Sequence, residues 1–256
     1  MNTFPTTEEY TPGFSANAVD FMARRTVESH AQFLRPYLQA GLRLLDIGCG
    51  PGTISIGLAK AVAPGEVMAI DFGPGQVEAA RHHAAASGIH NIRFQVGSIY
   101  SLPFPEAEFD IVFAHAVFEH LKEPLSALQE IRRVLKPGGL VALRSPDWGG
   151  FIIAPESPSV SAAIQRYTEI QTCNGGDVHV GRKFPALLRT AGFTPANFSA
   201  TYECYQPVTS IGEYLALRLE TEGDRSEAEA LRQWSRHLDA VFAQAWCEIV
   251  GYRSPG

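Results

Sequence analysis

Disulfide chemistry is the first thing this chain is poorly equipped for. Its 256 residues hold four cysteines, Cys49, Cys173, Cys204 and Cys247, widely spaced and with no C-x-x-C pair. That spacing excludes the framework of a small secreted scaffold and offers no thiolate cage for a metal. The cysteines read as reduced thiols of a cytoplasmic protein. Long apolar runs are missing too: none approaches the roughly 18 residues of a membrane helix. Met1–Ser15 shows neither the basic nor the apolar segment of an export signal, so neither secretion nor membrane insertion is expected. Basic charge is scarce, with 21 Lys and Arg against 27 Asp and Glu, a net charge of −6 and no basic run. Such a surface repels a phosphate backbone, and no nucleic-acid partner is expected. Internal repeats and low-complexity tracts are absent, which excludes a solenoid.

What is present is globular: 45% hydrophobic and 19% charged residues, enough for one domain over residues 1–256. From Leu42 onward short apolar runs alternate with helical patterns. The runs Leu42–Ile47, Val67–Ile70 with Asp71, Ile92–Val96, Phe109–Ala114 and Leu140–Leu143 predict strands. Between them, helices are predicted at Thr53–Ala63, at Gly75–Ser87 stopping at Gly88, and at Pro124–Lys136 before Pro137-Gly138-Gly139. A further helix, Arg182–Ala191, ends at Gly192 and precedes a last strand at Phe193–Tyr205. This alternation predicts a Rossmann-like, doubly wound α/β fold with a mostly parallel sheet of six or seven strands, and function at the strands' carboxyl ends.

The core is expected over residues 36–205, with residues 1–35, 146–180 and 207–254 as helical lid or cap elements. In the tail, Leu231, Trp234, Leu238, Val241, Phe242, Ala245, Trp246 and Ile249 recur at helical spacing. Ser226 with Glu229 suggests a capping box and Gly251 a helix end, so the tail is expected to be a helix. A seventh strand is then either missing or drawn from an unexpected segment.

The sharpest local signal is Asp46-Ile47-Gly48-Cys49-Gly50-Pro51-Gly52, which follows an apolar strand and precedes a helix. The spacing is G-x-G-x-G, and Thr53 stands where a dinucleotide fingerprint needs its third glycine. Asp46 at the strand end is awkward beside a pyrophosphate and suits a cation. Asp71 lies 19 residues past Gly52, near the offset at which an acidic residue accepts ribose hydroxyls. Together these residues describe a nucleoside that carries positive charge and no phosphate.

Between Arg35 and Phe198 the motifs LLDIGCGPG, VMAIDFGPGQVEAAR, VGSIYSLPFPEAEFD, FAHAVFEHL and EIRRVLKPGGLVAL follow in order. In these the chain resembles class I S-adenosylmethionine-dependent methyltransferases of the small-molecule type, similar to quinone-biosynthesis and natural-product enzymes. The resemblance implies that S-adenosyl-L-methionine is the cofactor and that the glycine loop, as Asp46, Gly48, Cys49 and Gly50, receives its methionine part. It implies Asp71 at the ribose, Phe72 beside the adenine, Gly97, Ser98 and Ile99 near the adenine amino group, and Gln76 among the cofactor-binding residues. His115 and Ala116 take the position that lines the methionine and faces the acceptor. The family usually has Asp where this chain has Ser98, which implies a weaker adenine contact. Cys49 is implied to be a packing thiol.

The implied reaction is in-line displacement of the methyl group onto an O, N or C atom of a small organic acceptor, releasing S-adenosylhomocysteine. Positioning carries most of such chemistry. If the acceptor must lose a proton, His115 and then His179 are the candidate bases, both alternatives to simple wall roles. His120, after Glu119, reads as structural, and His82, His83 and His90 as surface. Among aromatics outside the sheet, including Phe14, Phe21, Phe151, Tyr202, Tyr205 and Tyr214, the best candidates to bind substrate are Tyr10, Trp148 and Tyr167. Arg24, Arg25 and Arg182 are candidate partners for an acidic group. Two other readings stay open: a cofactor-binding module without turnover, and a nicotinamide-dependent dehydrogenase. No metal is expected, and a monomer or homodimer is.

Overall fold

The computed structural model of the protein describes residues 10–13 and 16–255. Phe14 lies outside the described residues. Two short helices, α1 (Ala16–Ala23) and α2 (Val27–His30), precede β1 (Leu44–Ile47), α3 (Thr53–Val62), β2 (Val67–Asp71), α4 (Pro74–Ala86), β3 (Ile92–Val96) and β4 (Phe109–His115). Then come α5 (Pro124–Val134), β5 (Leu135–Ala154), α6 (Pro158–Cys173), α7 (Val180–Thr190), β6 (Phe193–Cys204), α8 (Val208–Thr221), α9 (Arg225–Ser235) and β7 (Val241–Arg253). Among the described residues the strands form one seven-stranded sheet in the order β3-β2-β1-β4-β5-β7-β6.

Strands β1 to β5 run parallel to one another, and β7 lies antiparallel between β5 and β6. All four residues of β1 are buried, as expected of a central strand covered on both faces. Helix α5 turns Ala127, Leu128, Ile131 and Val134 inward, and α7 turns Val180, Phe184 and Leu188 onto the same cluster. Proline begins α4 and α5, where its missing N–H costs nothing. The chain passes from β1 to β2 and β3 on one side and returns to β4 on the other. That reversal opens a crevice at the carboxyl ends of β1 and β4.

Three expectations are corrected. The helix predicted to Lys136 stops at Val134, because Leu135 already pairs with Phe109 in the sheet. Strand β5 runs on through Ser145-Pro146-Asp147-Trp148 to Ala154, with a register shift between Asp147 and Phe151 where Gly149 and Gly150 lie, so the start of the segment 146–180 is sheet. The expected tail helix ends at Ser235, and after a turn the chain enters β7. Gly251 is interior to that strand, where a Cβ would stand 2.9 Å from Leu188 Cδ1. Nor is there a capping box: Asp224 is the N-cap of α9, and the Ser226 hydroxyl bonds to Glu227.

A second cluster sits beside the sheet. Helices α1, α6, α8 and α9 bring Phe21, Ile164, Tyr167, Leu215, Leu231 and Trp234 together, and Phe242 of β7 joins them.

Leu238 and Ile249 share one face of the expected tail helix, yet in the structure Leu238 is 97% exposed and Ile249 is fully buried. Ile249→Ala is therefore expected to cost about 2–5 kcal/mol in urea unfolding, whereas Leu238→Ser stays within about 0.5 kcal/mol of the parent. Equal costs would contradict the strand assignment.

Candidate functional site

The crevice at the carboxyl ends of β1, β2 and β4 contains a cavity of about 260 Å³. Every residue assigned to the cofactor from sequence lines it: Asp46, Gly48, Cys49 and Gly50 after β1, Asp71, Phe72 and Gln76 after β2, Gly97, Ser98 and Ile99 after β3, and His115 and Ala116 after β4.

The glycine loop is held close. Gly48, Gly50 and Gly52 have φ of +71°, +51° and +80°, values that glycine tolerates and other residues resist. A Cβ at Gly48 would collide with Val117, and one at Gly52 would come within 2.7 Å of Ala80 Cβ. The Asp71 carboxylate accepts from Gly50 N at 2.9 Å and from Gly73 N at 2.8 Å. Burial raises its pKa, and these two bonds pull it back. Asp46 is fully buried and accepts from the Ser55 hydroxyl at 2.5 Å. Burial pushes its carboxyl up to about 7, the Ser55 bond opposes this, and the Asp71 charge adds to it. Burial likewise raises the Cys49 thiol, with both aspartates contributing, which leaves it inert.

Gln76 is buried, and its Oε1 has no hydrogen-bond partner. Such an orphan acceptor at the cavity wall asks for a donor from a ligand. Arg25 is the only Lys or Arg among the lining residues, so a pyrophosphate on this loop would face two buried carboxylates with little compensation. The residues present fit a cationic, phosphate-free adenosine derivative.

A smaller cavity of about 50 Å³ adjoins the first and shares Tyr10, Arg25, Ala116 and His120 with it. Tyr10, Trp148 and Tyr167 all line it, with Trp148 and Tyr167 ring centroids 5.1 Å apart. Phe21 stacks on Tyr214 at 4.4 Å. Phe151 lies aside, stacked on Phe242, and Tyr202 is 55% exposed.

The two histidine candidates diverge. His115 is buried, with Arg144 Nη1 donating to its Nε2 at 2.8 Å and its ring stacked 5.0 Å from Trp246. Burial above all, then the charges of Arg25 and Arg144, hold its pKa well below the ordinary value. The ring is neutral, and the nitrogen that would take a proton is already occupied, which favours the wall role over the base. His179 lines neither cavity; it precedes α7 without a side-chain capping bond, its Nδ1 3.4 Å from Asp147 Oδ1. Asp147 also holds Arg182 through two bonds of 2.6 Å, which removes that arginine from the acidic-ligand candidates. Arg24 is exposed and packs over Phe21, while His83 departs from its surface reading by bonding the Pro51 carbonyl at 2.8 Å.

Sequence reasoning missed Glu119, Gln171, Gln244 and Trp246, all on the smaller cavity. Only folding brings them together, since β7 supplies the last two. The Glu119 carboxyl is buried, accepts from the Ser145 hydroxyl at 2.8 Å and is pushed by burial up to about 7.

Comparison with known proteins agrees with this geometry. A family model described as methyltransferase domain matches residues 38–192. The probable methyltransferase ltbC of Aspergillus luteorubrus is 40% identical, over 96% of this chain and 98% of its own. A 27-O-demethylrifamycin SV methyltransferase of Amycolatopsis mediterranei is 34% identical over 62% of this chain and 56% of its own. Among solved structures, a SAM-dependent methyltransferase from Aquifex aeolicus shares the fold with a TM-score of 0.58 at 18% identity, over 92% of this chain and 99% of that one. With the family model spanning most of the parallel sheet and the carboxylate-flanked loop where the family's motifs place it, the chain belongs to the methyltransferase domain family and is an S-adenosylmethionine-dependent methyltransferase.

Proposed function

We propose that this enzyme methylates a small organic acceptor seated in the ring-lined cavity, with the cofactor in the larger one. The observation that carries the reading is the shared lining: Ala116 opens the loop after β4 at a φ of +56° and, with Tyr10, Arg25 and His120, borders both cavities. An acceptor and a methyl donor placed in the two cavities meet across that wall. Bound S-adenosylmethionine supplies a methyl group already activated by its sulfonium sulfur.

In this reading Asp71 holds the ribose hydroxyls, with Gln76 and Phe72 beside it. Gly97, Ser98 and Ile99 border the adenine. Asp46 faces the amino-acid end, where Gly48, Cys49 and Gly50 let the ligand approach the backbone. His115 walls the methyl side as a neutral ring. Tyr10, Trp148 and Tyr167 line the acceptor and exclude water, while α1, α6, α8 and α9 form a cap on a single domain. Orientation of this kind contributes on the order of 7–11 kcal/mol without covalent catalysis. A small acceptor, rather than a nucleic acid, suits the acidic charge balance and the narrow ring-lined cavity. The exposed free thiols Cys173 and Cys204 suit a cytoplasmic monomer or homodimer, and no helix among the described residues is long and apolar enough to cross a membrane.

In thermal shift, S-adenosylmethionine and S-adenosylhomocysteine at about 100 Kd are expected to stabilise the protein by about 2.7 kcal/mol, with no response to NAD or NADP. Asp71→Ala removes most of that shift; an unchanged shift would contradict the ribose assignment. Asp46 gives a pH signature. Its carboxyl titrates near 7 and must ionise to meet a cationic amino acid, so affinity for S-adenosylhomocysteine rises with pH through 7, at most about tenfold per unit, then levels off. Calorimetry on Asp46→Asn is expected to show a flat profile, and a parent profile flat from the start would refute the assignment.

A further inference from the structure

Resting on the acceptor assignment above, the smaller cavity carries polar groups that specify more than an apolar slot. Gln244 is 2% exposed, and its amide is fixed because Nε2 donates to the Asp147 carbonyl at 2.7 Å. Its Oε1 is buried with no hydrogen-bond partner, and the residue lines the cavity, so a donor seated there would satisfy it. Glu119 is 3% exposed, lines the same cavity and is anchored on one oxygen, Oε2, by Ser145. Its Oε1 lies 3.8 Å from His120 Nε2, beyond hydrogen-bond reach. At the rim, the Arg25 guanidinium packs over the Trp246 ring at 5.8 Å and forms no ion pair with a described residue.

These features select a ligand. An ammonium is disfavoured by Arg25, whose charge is not neutralised by direct contact with a carboxylate of any described residue. A carboxylate is disfavoured by Glu119 and by the Gln244 oxygen, which both demand donors. A flat ring bearing hydroxyl groups satisfies all three, because it stacks among the aromatic walls, donates to Gln244 and Glu119, and gains negative charge beside Arg25 as it reacts.

We propose that the acceptor is a small hydroxylated aromatic compound and that Glu119 is the base that takes its proton. As the acceptor oxygen bonds to the methyl carbon, the carbon–sulfur bond breaks with its electron pair kept by sulfur. The hydroxyl proton passes to Glu119, and water removes it after turnover. Glu119 is suited to this exchange: burial raises its carboxyl to about 7, while its own backbone N–H, Ser145, Arg25 and Arg144 pull it down. Tyr10, Tyr167, Tyr205, Tyr214 and His120 also face the cavity, and burial keeps all four tyrosines protonated and His120 neutral, at about 3, so none competes for the proton near neutral pH.

The test uses the full chain with S-adenosylmethionine and a panel of one- and two-ring phenols, their amine and carboxylate analogues, and a nitrophenol already ionised at the assay pH. Methyl transfer is expected to phenols only, with kcat/KM rising tenfold per pH unit below about 7 and level above. Glu119→Gln is expected to lose about 100-fold or more in kcat on unactivated phenols with KM nearly unchanged, to lose the rising limb, and to recover most of its deficit on the nitrophenol. Calorimetric affinity for S-adenosylhomocysteine should match the parent, which shows that the variant is folded. A parent that binds S-adenosylhomocysteine but methylates no phenol overturns the acceptor class. A variant equally impaired on both kinds of phenol, or unimpaired, overturns the base. A parent that fails to bind S-adenosylhomocysteine strikes instead at the cofactor reading beneath.

Discussion

The Asp71 carboxylate accepts one backbone N–H from the loop after β1 and another from the loop after β2, and these bonds hold the two loops at a fixed separation. An ionised carboxylate so deeply buried is costly unless its lone pairs are filled. Here backbone donors satisfy part of that demand, and ligand hydroxyls are the natural source of the rest. The glycine loop obeys the same constraint from the other side, since Val117 and Ala80 leave no room for a Cβ at Gly48 or Gly52. The backbone thus stays close enough for a ligand to meet peptide groups directly. Asp46, one strand end away, adds a second buried acid whose ionisation a cation would favour. A site with two raised carboxylates is primed for positive charge before any ligand arrives.

The smaller cavity depends on a different device. Strand β7 lies between β5 and β6 and carries Gln244, Trp246 and Glu248 towards the carboxyl end of β5. Glu248 Oε1 accepts from Arg144 Nε at 2.9 Å, and Arg144 in turn occupies His115. Breaking such a buried pair by removing one partner typically costs about 3–5 kcal/mol, because the other charge is left stranded. The same His115 ring stacks on Trp246 at 5.0 Å, which links the lining of the larger cavity to that of the smaller one. The larger cavity is thus lined mainly by the loops after β1 to β4, while the smaller one also draws on α1, α6, α8 and β7.

Much of the candidate site was legible in sequence because it is local. Glycines, a preceding Asp46 and an Asp71 at a fixed offset follow from the strand-loop-helix unit itself, and all of them line one cavity. The tail was misread for a physical reason. Residues 242–251 of β7 are buried on both faces, so the period-two alternation that marks a half-exposed strand is absent, and Phe242, Trp246 and Ile249 fit helical spacing equally well. Glu119 was overlooked because its significance comes from Ser145, 26 residues away, and from rings on other elements. His179 looked promising beside glycines but stands before α7, with its ring near Asp147 and away from both cavities. Local pattern reveals loops, while long-range pairing decides which side chains face an acceptor.

The account stands or falls on where an adenosine-bearing ligand sits. A crystal structure of the complex with S-adenosylhomocysteine answers this most directly. Density should run from Asp46 and the Gly48–Gly52 loop to Asp71, with the ribose hydroxyls on the Asp71 carboxylate and the sulfur turned towards Ala116. Density elsewhere, with that loop and Asp71 facing bulk water, would contradict the account.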